Sequence, residues 1–135
     1  MSLEDIPVVQ SGGSGLSGNA PVLLLETAEM VRRLLATGES TAIDLRALPL
    51  TPADRDWLQA QLGKGEISVT LEAEGESTIN ETACPGVWWV THHNEKGAVA
   101  SEFIEITLVP ELVKAHTEDI KIGLEHLDLL ISDLS

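Results

Sequence analysis

The chain has 135 residues, which suits one domain with one hydrophobic core. Hydrophobic residues make up 43% of it and aromatic residues only 3%, so aliphatic side chains must fill most of that core. Eight basic residues against 22 acidic ones give a formal charge of −14 at pH 7. Because nucleic acids and anionic membrane surfaces both attract cationic proteins, this charge argues against either as a partner.

Cysteine content and the amino terminus indicate the compartment. The single cysteine, Cys84, excludes an internal disulfide and any metal site built from cysteines alone. The first residues are acidic and lack the basic and then apolar pattern of a secretory signal. The sequence contains no apolar run of roughly 20 residues, the length that spans a bilayer. These features predict a cytoplasmic protein.

The amino-terminal part of the chain predicts an arm followed by a helix. Residues 1–21 contain a stretch rich in glycine and serine and predict a flexible arm, which leaves residues 22–135 as a single domain. Helical spacing of apolar residues predicts a first helix over 22–37. Pro21 suits its first turn, and Gly38 suits the left-handed position that ends a helix.

Two further helices are predicted. Thr51 and Asp54 have the spacing of an N-terminal capping box, which favours a helix over 52–62. The last helix is predicted over 117–131, and its apolar residues form one stripe that should face the core. The residues of that stripe are Ile120, Leu124, Leu127, Leu130, Ile131 and Leu134.

Between these helices the apolar residues recur with a period of two, as in a half-buried strand. Four such stretches joined by short turns predict an antiparallel meander over 66–109, because parallel neighbours need long crossover connections. Residues 41–45 are a further short strand candidate. The predicted fold class is therefore α+β, with an antiparallel four-stranded meander packed against about three helices.

One motif suggests nucleotide binding. Gly13, Gly15 and Gly18 match the G-x-G-x-x-G pattern, and Asp44 ends the next strand candidate. A dinucleotide fold places the third glycine in the first turn of a helix, whereas here Asn19, Ala20 and Pro21 intervene. The downstream strands also form a meander rather than further parallel units. A flexible linker is the favoured interpretation, and nucleotide binding remains a remote alternative.

Metal binding and nucleophilic catalysis have little support in the sequence. His92 and His93 are adjacent in a strand, so their side chains point to opposite faces and cannot bind one ion together. They are metal candidates only if a metal is bridged between subunits, and otherwise no metal or other cofactor is expected. Cys84 precedes Pro85 in a turn, and strand geometry carries His92 and His93, the candidate general bases, away from it. Cys84 is therefore expected to be a packed thiol. Nothing in the sequence favours an enzyme.

The strand that contains Trp88 and Trp89 is the most distinctive feature. Residues 87–90 are all large and apolar, so this strand has no polar face. A central strand covered on both faces by helices explains the pattern, and the alternative is one exposed tryptophan that awaits a partner. Glutamates along the same meander would then steer a basic partner. They are Glu72, Glu74, Glu76, Glu81, Glu102 and Glu105. The candidate partner-binding residues are Glu81, Trp88, Trp89, Glu102 and Glu105.

Several stretches taken together resemble one family. They are IDLRALPLTPADRDWL (43–58), LGKGEISV (62–69), INETACPGVWWV (79–90) and EFIEITLVPE (102–111). In order and spacing they are similar to the conserved region of the hydrogenase expression proteins HupH and HyaF, over roughly residues 22–131. Longer members carry two copies of this region, and the chain matches one copy, most closely the second.

The resemblance implies a non-catalytic accessory protein in the maturation of uptake nickel–iron hydrogenases. It implies as partners the precursor of the iron–sulfur small subunit, before export, and other maturation proteins. A nickel- or iron-handling maturation factor is the alternative. Two features add a further expectation, self-association into a homodimer. One is the strand without a polar face, and the other is the last helix, whose apolar residues Leu127, Leu129, Leu130, Ile131 and Leu134 exceed one stripe facing the core.

Overall fold

Three α-helices and five β-strands make up residues 15–134, the part of the chain that a computed structural model describes. In chain order they are α1 (Asn19–Thr37), β1 (Thr41–Asp44), α2 (Pro52–Leu62), β2 (Ser68–Glu72), β3 (Glu76–Glu81), β4 (Val87–His93), β5 (Val99–Ile106) and α3 (Thr117–Ser132). The predicted α+β class is confirmed.

The strands form one sheet in the order β1-β5-β4-β3-β2, and all neighbours are antiparallel. The meander predicted over 66–109 corresponds to β2 to β5. The prediction of four strands was wrong by one, because β1 pairs with β5 and places Thr41 opposite Ile106. These two strands are far apart in the chain, so no local pattern reveals their pairing.

The helix ends follow the predicted punctuation. Helix α1 begins at Asn19, earlier than the predicted residue 22, and Gly38 ends it in the left-handed conformation with φ of 79°. The Thr51 hydroxyl accepts a hydrogen bond from the Asp54 amide, and the Asp54 carboxylate accepts one from the Thr51 amide. This confirms the capping box that starts α2.

Part of the predicted arm is anchored to the start of α2. The amide of Ser17 donates to the Asp54 carboxylate over 2.9 Å, and the Thr51 hydroxyl donates to the carbonyl of Gly15 over 2.7 Å. These bonds hold the chain just before α1, which differs from the flexibility expected up to residue 21. The rest of the predicted arm, residues 1–14, lies outside the described residues.

Helices α1 and α2 cover one face of the sheet and bury the main core. Cross-strand register puts Trp89 opposite Ile104, and Ile104 opposite Ile43, so these side chains share that face. Leu23 of α1 and Leu58 of α2 are buried in the same cluster. The wide apolar stripes of both helices therefore explain how this face of the sheet is buried.

The other face of the sheet carries a smaller apolar cluster. Ile79 lies opposite Val90, and both are buried together with Trp88. Val69, Leu71 and Phe103 pack around them and are partly buried. This cluster contains no helical residue among those described. Strand β4 therefore contributes to both cores, which explains why it has no polar face.

Helix α3 does not pack against the core, and this corrects the sequence prediction. Every residue from Glu111 to Leu134 is exposed, including the whole apolar stripe that was expected to face inward. Helical periodicity shows which residues share a face, but it does not show what covers that face. Within residues 15–134 we find no helix long and apolar enough to cross a membrane.

Candidate functional site

The two tryptophans of β4 are both buried, on opposite faces of the sheet. Trp88 and Trp89 are only 5% and 4% exposed. The Trp88 indole donates to the carbonyl of Thr107 over 3.0 Å, and the Trp89 indole donates to the Glu102 carboxylate over 2.9 Å. Both ring nitrogens are therefore satisfied inside the chain. The sequence left open a strand covered by helices on both faces or one exposed tryptophan. The structure matches neither fully, because in residues 15–134 helices cover only the Trp89 face, yet both indoles are buried.

Glu102 connects the sheet to α2. One carboxylate oxygen accepts the Trp89 hydrogen bond, and the other lies 3.3 Å from Nε of Arg55. The side chain of Glu102 is only 13% exposed, so water screens this ion pair less than a surface pair. These contacts make Glu102 an internal connection between strand and helix, with little of its charge at the surface.

Glu81 and Glu105 lie on either side of Trp88. They are its cross-strand neighbours on β3 and β5, so the structure brings three of the five candidate residues together on one face. Both glutamates are half-buried. The Oε1 atom of Glu105 is buried and has no hydrogen-bond partner within the described chain. Burial raises the pKa of Glu105, an effect that His92 opposes and Glu111 increases.

The histidines make separate contacts. Nδ1 of His92 lies 2.7 Å from the Ser77 hydroxyl, whereas Nδ1 of His93 lies 3.2 Å from the carbonyl of Glu76. The register of β4 against β5 shifts between His92 and His93, as in a β-bulge. No group of three histidine, cysteine, aspartate or glutamate side chains in residues 15–134 is arranged to hold a metal ion.

Cys84 is exposed, contrary to the packed thiol that was expected. It lies in the turn between β3 and β4 and lines an apolar groove beside α1. The described residues of this groove include Leu24, Val31 and Arg32 but no histidine or carboxylate. The thiol therefore has no general base beside it in the groove, which a nucleophilic cysteine requires.

Gly13 of the glycine-rich motif lies outside the described residues, and the surroundings of Gly15 and Gly18 differ from those in a dinucleotide fold. Gly18 lies directly before the first turn of α1, nearer to the helix than expected, but the strands are all antiparallel. The Asp44 carboxylate accepts a hydrogen bond from the amide of Arg46 in a short helical turn. The buried Asp54 carboxylate lies against Ser17, next to the same helix end, and its charge would repel a phosphate.

An acidic end of the sheet is formed by two neighbouring hairpin turns. Glu72 and Glu76 face each other across the β2–β3 turn, although like charges in that position are destabilising. Glu74 and Glu95 lie at the tips of the β2–β3 and β4–β5 turns and, together with Lys96, line one open depression of about 570 Å³. We call these four residues the acidic end.

Sequence reasoning missed part of the acidic end. The glutamates of the β2–β3 hairpin were recognised, but Glu95 was not grouped with them. A usable pattern exists, because alternate turns of a meander fall at the same edge of the sheet. The approach is close, because a Cβ atom at residue 75 would clash with the carbonyl oxygen of His93. Glycine is therefore required where the two turns meet.

Comparison with known proteins shows clear relatives. The expression/formation protein HoxQ of Azotobacter vinelandii is 35% identical over 116 residues, which cover 84% of this chain and 40% of the relative. HupH of Rhodobacter capsulatus is 33% identical over 103 residues, which cover 76% and 37%. The chain thus spans about two fifths of the length of these curated relatives.

A solved structure and a family model agree with these relatives. The hydrogenase expression protein HupH from Thiobacillus denitrificans superposes with a TM-score of 0.85 at 54% identity, covering 88% of this chain and 99% of that one. Residues 18–134 match the model of the HupH hydrogenase expression protein, C-terminal conserved region. This match takes in nearly the whole described chain, and the chain therefore belongs to the HupH hydrogenase expression protein family.

Proposed function

We propose that this protein is a non-catalytic accessory factor in the maturation of an uptake nickel–iron hydrogenase. The observation that carries the proposal is the match of residues 18–134 to the HupH region. Curated relatives bear the name hydrogenase expression/formation protein, which supports a role in hydrogenase maturation. We propose further that it acts in the cytoplasm on the precursor of the iron–sulfur small subunit.

The contacts within the chain support a binding role over a catalytic one. The polar groups of Trp88, Trp89 and Glu102 are spent on hydrogen bonds inside the domain. His92 is tied to Ser77, and Cys84 has no base beside it in its groove. A catalytic site requires at least two such groups aimed at a common point, and these groups face different elements.

We infer that the acidic end is where a basic segment of the precursor binds. The carboxylates of Glu72, Glu74 and Glu76 are exposed and lie on one hairpin. Their mutual repulsion costs the free protein stability, and a cationic partner would relieve it. The buried tryptophans then serve to hold the hairpins in place, since β4 lies directly beside β3.

The test compares two pairs of charge-removing variants. Glu72→Gln with Glu76→Gln removes two neighbouring charges from the acidic end. Glu26→Gln with Glu29→Gln removes two neighbouring charges from the exposed side of α1 and serves as the matched control. The tagged chain is incubated with the purified small-subunit precursor, and the dissociation constant is measured for each variant.

We expect the first pair of substitutions to weaken binding about tenfold, as loss of two steering charges can do, and the control pair to leave it nearly unchanged. Equal effects of both pairs would contradict the assignment to the acidic end. No binding of precursor by the unaltered chain would contradict the proposed function itself.

A further inference from the structure

Helix α3 exposes a large apolar surface. Eight leucine and isoleucine side chains between Ile120 and Leu134 are 49% to 85% exposed, and none is buried. Six of them share one side of the helix, namely Ile120, Leu124, Leu127, Leu130, Ile131 and Leu134. Scattered apolar residues are normal on a protein surface, but a contiguous apolar stripe of this kind marks an interaction site. The segment from Glu111 to Lys114 that leads into the helix is exposed as well.

The helix needs a covering surface to be stable. It has 16 residues, close to the length at which isolated helices are marginal in water, and Gly123 lowers its helix propensity further. The ion pair between Lys121 and Glu118, with a separation of 3.5 Å, is exposed and adds little to the stability of the helix. Formation of α3 therefore depends on apolar contacts with a surface outside this chain's own core.

The spacing of the apolar residues matches a coiled-coil seam. Ile120, Leu124, Leu127, Ile131 and Leu134 follow one another at intervals of four, three, four and three residues. This is the a and d pattern that lets a helix pack against another helix with knobs in holes. The five residues contain no polar side chain. We call them the α3 seam.

The distribution of charge favours a second copy of the same helix. The acidic residues Glu118, Asp119, Glu125 and Asp133 occupy positions b and c of the heptad, away from the seam. The residues that flank the seam are Lys121, Gly123, Asp128 and Leu130, which are neutral in sum. Two copies can therefore meet along the seam without bringing like charges together, despite the net charge of −14 on each chain.

We propose that α3 is a self-association helix, and that a second copy of this chain covers the α3 seam with its own α3 in a two-fold dimer. The two-fold arrangement uses the same residues on both copies, and the acidic side of each helix faces solvent. The exposed linker before α3 holds the helix away from the sheet, where a partner helix can reach it.

The test uses the full chain and two double variants that differ only in the side of α3 they change. Leu124→Glu with Ile131→Glu places charges in the seam. Ile122→Glu with Leu129→Glu places the same charges on the opposite side, at residues that are equally exposed (64% and 66%, against 57% and 61%). Mass is measured by sedimentation equilibrium at micromolar concentration, and circular dichroism checks that the sheet is intact.

We expect the unaltered chain and the Ile122 and Leu129 variant to have twice the 14.5 kDa chain mass. The Leu124 and Ile131 variant should sediment at the chain mass. A monomeric unaltered chain would overturn the proposal. If α3 were protected from hydrogen exchange only after the hydrogenase precursor is added, that protein rather than a second copy would be the occupant. Equal loss of the dimer in both variants would overturn the assignment to the seam.

Discussion

The carboxylate of Asp54 is fully buried and holds together the two segments that precede α1 and α2. It accepts hydrogen bonds from the amides of Ser17 and Thr51, at 2.9 and 3.0 Å, and from the Ser17 hydroxyl. Burial by itself would raise the pKa of Asp54, but these hydrogen bonds favour the charged form and the pKa is lowered on balance.

Replacing Asp54 with Asn should therefore destabilise the protein by about 1–3 kcal/mol at neutral pH, the range for lost hydrogen bonds to a buried charge. Because the folded-state pKa lies below the ordinary aspartate value, the contribution is present above that value and is lost as the pH falls through the folded-state pKa. Urea unfolding at neutral and at acidic pH measures both effects.

Asp56 supplies the control for Asp54. It lies on the same helix and is exposed, so Asp56→Asn changes the same charge without removing a buried hydrogen bond. It should leave the free energy of unfolding within about 0.5 kcal/mol of the unaltered value. Equal destabilisation by both substitutions would mean that the charge of α2, rather than the buried contacts of Asp54, carries the effect.

Glu105 is expected to have the opposite effect to Asp54 and to lower the free energy of unfolding at neutral pH. Burial raises its pKa, and its Oε1 atom has no partner among the described residues, so the charged form is a cost at neutral pH. Glu105→Gln should stabilise the protein above the folded-state pKa by about 1 kcal/mol or less, because part of the group reaches water. As the pH falls below the ordinary glutamate pKa, this advantage should disappear.

The measurement for Glu105 is the midpoint of urea unfolding at neutral and acidic pH. Glu95→Gln is the control, since Glu95 is exposed in the β4–β5 turn and should change stability little at either pH. Destabilisation of the Glu105 variant at neutral pH would show that its other oxygen makes a contact worth more than the burial of the charge.

At the scale of whole elements, local chemistry predicted the helices and most of the sheet. Pro21 and Gly38 set the limits of α1 closely, and Thr51 with Asp54 marked the first turn of α2. These are interactions between residues close in sequence, so a local pattern records them. The pairing of β1 with β5 joins distant segments, and β1 is too short for its own periodicity to identify a neighbour.

Helix α3 shows a second limit of the same kind. Its apolar stripe was recognised, and the structure keeps those residues on one side of a helix, yet none of them is buried. An amphipathic pattern is the same whether the covering surface belongs to the same chain or to another one. Only the arrangement of the other elements, with α1 and α2 over the main core, shows that α3 is left without cover.

Across the whole molecule, the sequence indicated which candidate residues share a face of the sheet but not how deeply they are buried. Alternation along β4 correctly placed Trp88 and Trp89 on opposite faces of the sheet. Their burial depends on other elements of the fold, which the sequence of one strand does not predict. The acidic end depends on two turns that meet in space, so only part of it was recognised. The four glutamates of the acidic end are exposed, whereas both tryptophans are buried.

The net charge of −14 leads to a prediction that distinguishes the two proposed associations. Precursor binding brings unlike charges together, whereas dimerisation through the α3 seam brings together two chains of the same sign. Salt screens both the attraction and the repulsion, because the Debye length falls from about 30 Å at 0.01 M to about 10 Å at 0.1 M. Added salt should therefore weaken precursor binding and strengthen the dimer. Dissociation constants measured for both along one salt series test this, and a dimer that weakens as salt is added would mean that ion pairs, not the apolar seam, hold it together.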